Sequence, residues 1–189
     1  MNFKTLQELH NFYNDNCKCE LKKTAIQAVF GAGNPKSKIV FIGEAPGKKE
    51  DELGVPFVGA AGKFLDEMLA SIKTKREQIY ITNTIKYRPP ENRDPTDGEK
   101  LACKEWLYEE LNFIKPKLIV FLGRHAMNTF FPNKKISEVH GKVLVKKFLN
   151  LDTKNFFVLY HPAAAFYNGS MRETLIKDFK KIPLFFARV

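Results

Sequence analysis

Five side chains with chemical potential stand where apolar runs break off. Glu44 follows Ile39-Val40-Phe41-Ile42-Gly43 and opens Ala45-Pro46-Gly47, with Glu50-Asp51 close behind. Phe57 stands alone in the glycine-bounded loop Gly54-Val55-Pro56-Phe57-Val58-Gly59. Asn83 lies in Ile79-Tyr80-Ile81-Thr82-Asn83-Thr84-Ile85, and His161-Pro162 ends the run from Phe156 to Tyr160. A carboxamide carries a donor and an acceptor on one plane, which matches the polar edge of a pyrimidine. A loop aromatic can stack on a base face for ~1–3 kcal/mol. A histidine beyond a strand end can donate a hydrogen bond to a developing anion. Two carboxylates can position water or stabilise positive charge building on a sugar. With a basic surface, this set describes an enzyme that takes one base out of a stack and acts on it.

Each member taken singly has an ordinary explanation. Asn83 can cap a turn, Phe57 can plug a core, and His161 can bond a backbone carbonyl. Glu50-Asp51 can open a helix, where the dipole favours acid. His10, His125 and His140 show no partner pattern and read as surface or core histidines. The functional case rests on the set, because unrelated core residues would not all fall at strand ends.

The elements that must position these groups follow from periodicity. Ile39–Ile42, Ile79–Ile85, Leu118–Leu122 and Phe156–Tyr160 are short apolar runs of buried-strand type, with weaker β runs at Ala28–Phe30 and Val143–Phe148. Between them lie helical patterns. Thr5-x-x-Glu8 is a capping box ahead of Leu6, Leu9, Phe12 and Tyr13; Phe64, Leu65, Met68, Leu69 and Ile72 share one face. Thr96-x-x-Glu99 opens a helix expected to bury Leu101, Trp106, Leu107 and Leu111, a further helix begins near Arg124, and Ser170-x-x-Glu173 caps a last one carrying Leu175, Ile176 and Phe179. Gly31-Ala32-Gly33 leads into a strand instead of opening a helix, so it is no dinucleotide fingerprint. Alternation of strand and helix predicts an α/β fold: a single-domain three-layer sandwich over residues 1–189, with a central, mainly parallel four-stranded sheet flanked by helices. Gly43-Glu44, Asn83, Gly123 and His161 should then converge on one sheet edge.

The chain has 189 residues, 44% hydrophobic and 13% aromatic, enough for one real core and too apolar for disorder. Lys and Arg number 31 against 21 Asp and Glu, a formal charge of +10 that favours a polyanion as partner, nucleic acid first. The competing reading is a lysine-rich soluble protein. No apolar signal region or membrane-length run is present, and 3 cysteines without an export signal predict a reducing compartment, so a cytoplasmic chain, no membrane contact and a monomer are expected.

At these motifs the chain resembles family 4 of the uracil-DNA glycosylase superfamily. The matching stretches are Gly43-Glu44-Ala45-Pro46-Gly47 with Glu50-Asp51, then Gly54-Val55-Pro56-Phe57-Val58-Gly59 and Thr82-Asn83-Thr84-Ile85-Lys86. Arg88-Pro89-Pro90, Asn92-Arg93-Asp94-Pro95 and His161-Pro162-Ala163-Ala164 complete the ordered series, which covers nearly the whole chain from about Cys17. The resemblance implies removal of uracil from single- or double-stranded DNA by base flipping, leaving an abasic site. It implies that Gly43 and Ala45 line the base site, Phe57 stacks on uracil, Asn83 pairs with its polar edge, and His161 bonds the oxygen that gathers charge. Glu44, ahead of Glu50, is the expected electrostatic or water-positioning group; family 1 relatives carry Asp where Ala45 stands, which leaves the base open. Lys86, Arg88, Arg93 and Arg124 are expected on DNA, with Ala165 or Phe166 as the wedge that props the duplex open. Family 1 relatives also place Tyr where Gly47 stands, so exclusion of thymine falls to another group, Glu50 being the best placed.

The departures concern a cofactor. Family 4 members usually hold a four-iron cluster on four cysteines. Cys19 and Cys103 fit two of the places, Cys17 is one position off, and Tyr87 stands at the remaining one. Three thiols cannot supply four thiolates, so no cluster is expected and no cofactor is needed for the chemistry; the runner-up is a cluster with an unusual ligand. Two other functions remain open to the sequence, a mismatch glycosylase for another deaminated base and a non-catalytic DNA-binding module of the same fold. The Arg-rich insertion of the cross-linking relatives is absent, so hydrolysis is the expected outcome.

Overall fold

The computed structural model describes residues 3–167 and 169–183. Its sheet has six strands in the order β1-β3-β2-β4-β6-β5. The four central ones, β2 (Ile39–Gly43), β3 (Tyr80–Asn83), β4 (Leu118–Leu122) and β6 (Asn155–Leu159), run parallel, as the apolar runs required. Two short strands, β1 (Ala32–Gly33) and β5 (Val143–Val145), close the edges antiparallel. The expected four-stranded sheet is therefore the core of a six-stranded one. β5 falls within the run expected at Val143–Phe148, whereas β1 escaped the pattern because two residues show no period, and pairing along one side suffices to hold it. Ala28–Phe30, read as a strand, is instead a loop tied to the site by Val29 N–H donating to the Lys86 carbonyl at 2.7 Å.

Eight α-helices complete the described chain: α1 (Leu6–Asn16), α2 (Lys48–Leu53), α3 (Ala60–Ser71), α4 (Asp97–Ile114), α5 (Arg124–Asn128), α6 (Ile136–Val139), α7 (Ala164–Tyr167) and α8 (Gly169–Phe179). Thr5 and Thr96 accept from the amides of Glu8 and Glu99 at the starts of α1 and α4; the box closes only at α4, where Glu99 accepts from the Thr96 amide, while Glu8 accepts from the Lys4 amide instead. α8 begins at Gly169, so Ser170 lies inside it and not at its cap. Successive strand residues face opposite sides, and both sides are covered, which gives three layers. Val40, Ile42, Phe121 and Phe156 pack with Leu107, Leu111 and Met127 on one side. Phe41, Val120, Phe157 and Leu159 pack with Phe64, Leu65 and Phe179 on the other. Leu101, expected inside, is 72% exposed. The inward stripe of α4 is Cys103, Leu107, Glu110, Leu111 and Ile114, and a residue two before Cys103 points to the opposite face. Phe12 likewise stays at the surface, its ring against Trp106.

Register brings the functional ends together. Gly43 pairs with Asn83 at the end of β2 and β3, and Leu122 pairs with Leu159 at the end of β4 and β6. Glu44, Asn83, Gly123 and His161 thus share the carboxyl edge of one sheet, where open α/β folds place their sites. Among the described residues no helix is long and apolar enough to cross a membrane.

Candidate active site

Asn83 is the deepest polar group of this edge, 1% exposed, with Oδ1 lacking any hydrogen-bond partner. An orphaned buried carbonyl oxygen costs about 1–3 kcal/mol unless something fills the space in front of it. Its neighbour across the ladder has to be glycine. A Cβ on Gly43 would lie 2.4 Å from Asn83 Oδ1 and 2.6 Å from Phe57 Cζ. The carboxamide and the ring therefore share one narrow slot. Phe57 reaches it with φ +56°, a left-handed conformation that costs a bulky residue about 1–3 kcal/mol. Arg76 holds that turn: its Nη2 donates to the carbonyls of Pro56 and Phe57, the latter at 2.7 Å, while Nη1 meets Asp66 at 3.1 Å. Nothing in the sequence pattern marked Arg76, since it comes from the short helical turn before β3.

His161 faces the slot from the far side, its ring centroid 6.0 Å from that of Phe57. The amide of Ala163 donates to Nδ1 at 3.2 Å, so a neutral ring carries its proton on Nε2. Burial, and then the nearby His125, push its pKa down to about 4 against a weak opposing pull from Glu50. At neutral pH His161 is an uncharged donor. Gly123, at φ +101°, leaves the close approach that His161 Cβ needs, 3.0 Å from where a Cβ would stand.

The two glutamates play different parts. Glu50 Oε1 accepts from the amides of Val58 and Gly59 at 2.9 and 2.7 Å, so this carboxylate clamps the loop that carries Phe57. Its Oε2 stands over Gly47, 2.8 Å from where a side chain there would begin. Glu44 is not spent this way. Its Oε1 is buried without a hydrogen-bond partner, and burial together with Asp94 raises its pKa to about 7 against the pull of Lys100 and Arg124. The cavity enclosed by Glu44, Phe57, Asn83, Arg93, Asp94 and His161, with Ala45 in its wall, measures about 210 Å³. That is below the roughly 300–1,000 Å³ of drug-sized ligand sites and suits one planar ring. A wider groove of about 740 Å³ runs between Trp106 and Leu149, and none of Glu44, Phe57, Asn83 and His161 lines it.

Of the basic residues expected on DNA, Lys86 is a correction. It is 3% exposed, and its Nζ donates to Glu110 Oε2 at 2.7 Å, to the Asn83 carbonyl at 2.9 Å and to Thr82 Oγ1. A buried ammonium persists only with such partners; this one braces the backbone beneath Asn83 and is out of reach of a phosphate. Glu110 is pushed up by burial but held down to about 2 by Lys86 and His10. Arg93 rims the cavity in a two-pronged pair with Glu99 at 2.9 and 2.7 Å, and Arg88 Nε donates to Asn92 at 2.9 Å. Arg124 is 65% exposed at the start of α5. Past His161, Ala165 packs inward while Phe166 and Tyr167 project outward.

His125, read as a bystander, stands beside Glu44 and Asp94, with ring nitrogens 3.4 Å from each. The chain contact that joins them is tertiary, so spacing alone could not expose it. The three groups offer ligand atoms within 4.8 Å of one another. Arg124 Nε already donates to His125 Nε2 at 3.0 Å, so the positive charge among them is a guanidinium.

The cysteines gather elsewhere. Cys17, Cys19 and Cys103 are buried with Tyr13, Leu21, Ile85 and Tyr87. Tyr13 Oη lies 3.3 Å from Cys103 Sγ, Cys17 Sγ points to the Ala102 carbonyl at 3.8 Å, and Tyr87 Oη donates to Asn14 at 3.2 Å. The rings of Tyr13 and Tyr87 stack with centroids 5.8 Å apart. Hydrogen bonding to Cys17 and Cys19, with burial, pushes the Cys103 thiol up and keeps it protonated, and the same bonding from Cys103 draws Cys17 down to about 6 and lowers Cys19 against burial. The usual four-iron donor set is four thiolates, and three cysteine sulfurs beside two packed phenols do not supply it.

Comparison with known proteins agrees with this geometry. The model of the uracil DNA glycosylase superfamily matches residues 30–182. A type-4 uracil-DNA glycosylase of Archaeoglobus fulgidus is 49% identical over 87% of this chain and 85% of its own length. Its counterpart from Sulfurisphaera tokodaii is 46% identical over 87% and 77%, and one from Thermotoga maritima 36% over 97% and 98%. A family model spanning most of the chain, together with a base-sized slot built on the same strand ends, establishes that this protein belongs to the uracil DNA glycosylase superfamily.

Proposed function

We propose that this protein is a uracil-DNA glycosylase that hydrolyses the N-glycosidic bond of deoxyuridine in DNA. The observation that carries it is the orphaned Asn83 Oδ1, buried in a one-ring cavity between Phe57 and His161. A carboxamide in that place can accept from uracil N3–H and donate to its O4, while Phe57 covers the ring face. The N1–C1′ bond breaks with its electron pair moving onto uracil, and the neutral Nε2–H of His161 stabilises the charge that gathers on O2. Glu44 faces the sugar side and balances the positive charge at C1′; water adds there, its proton leaving to solvent or carboxylate. A base in a duplex reaches such a slot only by flipping out, and Ala165 or Phe166 is the wedge that fills the gap it leaves, Phe166 being the exposed one of the two. Arg93 at the cavity rim, Arg88 beside Asn92 and Arg124 near Asp94 are the groups that meet phosphates. The same proposal takes the chemistry to need no metal, the cysteine nest to be free of iron, and the protein to act as a cytoplasmic monomer on single- or double-stranded substrate. Purified protein incubated with uracil-containing oligonucleotides and then alkali should yield strand scission at the uracil. No scission of either substrate overturns the proposal.

A further inference from the structure

His125 stands among three charged groups and has no part in the chemistry above. A carboxylate oxygen lies 3.4 Å from each ring nitrogen, Asp94 Oδ2 from Nε2 and Glu44 Oε1 from Nδ1, and Arg124 breaks the tie between the tautomers. Arg124 Nε donates to His125 Nε2 at 3.0 Å, and a guanidinium N–H can be received only by a bare ring nitrogen. The proton of the neutral ring therefore sits on Nδ1, and Nδ1 lies 3.4 Å from Glu44 Oε1. That oxygen is buried and has no other polar partner. Donor and acceptor lie 3.4 Å apart without the alignment of a closed hydrogen bond, and catalytic hydrogen bonds commonly tighten only when substrate is bound. We propose that His125 is the positioning residue of Glu44, its Nδ1–H holding Oε1 so that the carboxylate faces the sugar, with Arg124 selecting the tautomer. The inference rests on the glycosylase reading.

Several other charges bear on the pair. Asp94 from the loop before α4 and Lys100 from α4 face both groups, Arg124 comes from α5, and His161 comes from the end of β6. The test uses the full-length chain with a single-stranded uracil oligonucleotide at single turnover. His125→Ala should slow excision about 10–100-fold, the scale of a lost supporting partner, with substrate affinity unchanged. His125→Asn, whose side-chain amide overlays the Nδ1–H, should restore most of the rate. In a Glu44→Gln background His125→Ala should add little. Losses that multiply across the two backgrounds, or equal rates for His125→Ala and wild type, overturn the inference. A readout independent of activity is the titration of the Glu44 carboxyl followed by carbon NMR. Loss of the donor should move its midpoint upward in His125→Ala and leave it near wild type in His125→Asn. An unmoved midpoint overturns the inference even if uracil is excised; a shifted midpoint in a protein that excises nothing supports the contact and sinks only the glycosylase reading.

Discussion

The slot and the cysteine nest are both pockets of polar groups inside an apolar fold, and they treat those groups in opposite ways. In the slot, Asn83 Oδ1 and Glu44 Oε1 are buried without partners, Phe57 holds a strained backbone, and Gly43 keeps the space between them open. In the nest, Tyr13 and Tyr87 fill the volume, and both hydroxyls and the thiols are given partners. Beneath the slot the Lys86–Glu110 pair is closed as well, with every ammonium donor used. Unmet polar valence at a cavity wall is a cost that folding alone would remove, so its survival marks ligand recognition. Satisfied valence in a filled pocket marks packing.

Variants should separate the two kinds of region. The largest effect is expected from Lys86→Met, which leaves Glu110 buried and alone and should cost about 3–5 kcal/mol of stability in urea titrations, with most of it recovered in Lys86→Met/Glu110→Leu. A Lys86 on the DNA face would instead leave stability intact and weaken binding. Next come Asn83→Ala and His161→Ala, each expected to lower single-turnover excision about 10²–10³-fold, the loss seen when one preorganised donor is removed. Their melting temperatures should stay at or above wild type. A neutral Asn83→Ala would erase the contrast with the nest.

Cys103→Ala strands the Tyr13 hydroxyl and should cost about 1–3 kcal/mol of stability. The excision rate per folded molecule should not change, and iron analysis of wild type should find no stoichiometric metal. A loss of activity without a loss of stability would make the nest functional. The smallest effect concerns pH. The Glu44 carboxyl is raised from 4.5 to about 7, so it contributes stability that is full below about 4.5 and is lost as pH rises to about 7. With solvent screening of this partly exposed carboxylate leaving about 1 kcal/mol of that shift, Glu44→Gln should melt about 2–4 °C above wild type at pH 8 and show no gain at pH 4. Wild-type excision should rise through pH 7 as the carboxylate forms, and that rise should be absent in Glu44→Gln.

Strand identity was legible because buried parallel strands read as unbroken apolar runs, and Ile39–Ile42, Leu118–Leu122 and Phe156–Tyr160 fall on β2, β4 and β6. The types and order of Glu44, Phe57, Asn83 and His161 were legible too, because each follows a strand end or a glycine-bounded loop and parallel topology sends such ends to one edge. Other features needed the assembled fold. Lys86 lies three residues past Asn83 beside two exposed-looking arginines, and only the arrival of Glu110 from α4 turns it inward. Glu50 became a loop clamp because Val58 and Gly59 fold back over it, and His125 became a neighbour of Glu44 because β2 and β4 are adjacent. Periodicity and residue type set local conformation and chemistry along the chain. Partnership between charges far apart in sequence depends on which faces the packed layers bring within a few ångströms, and that distance is a property of the tertiary structure alone.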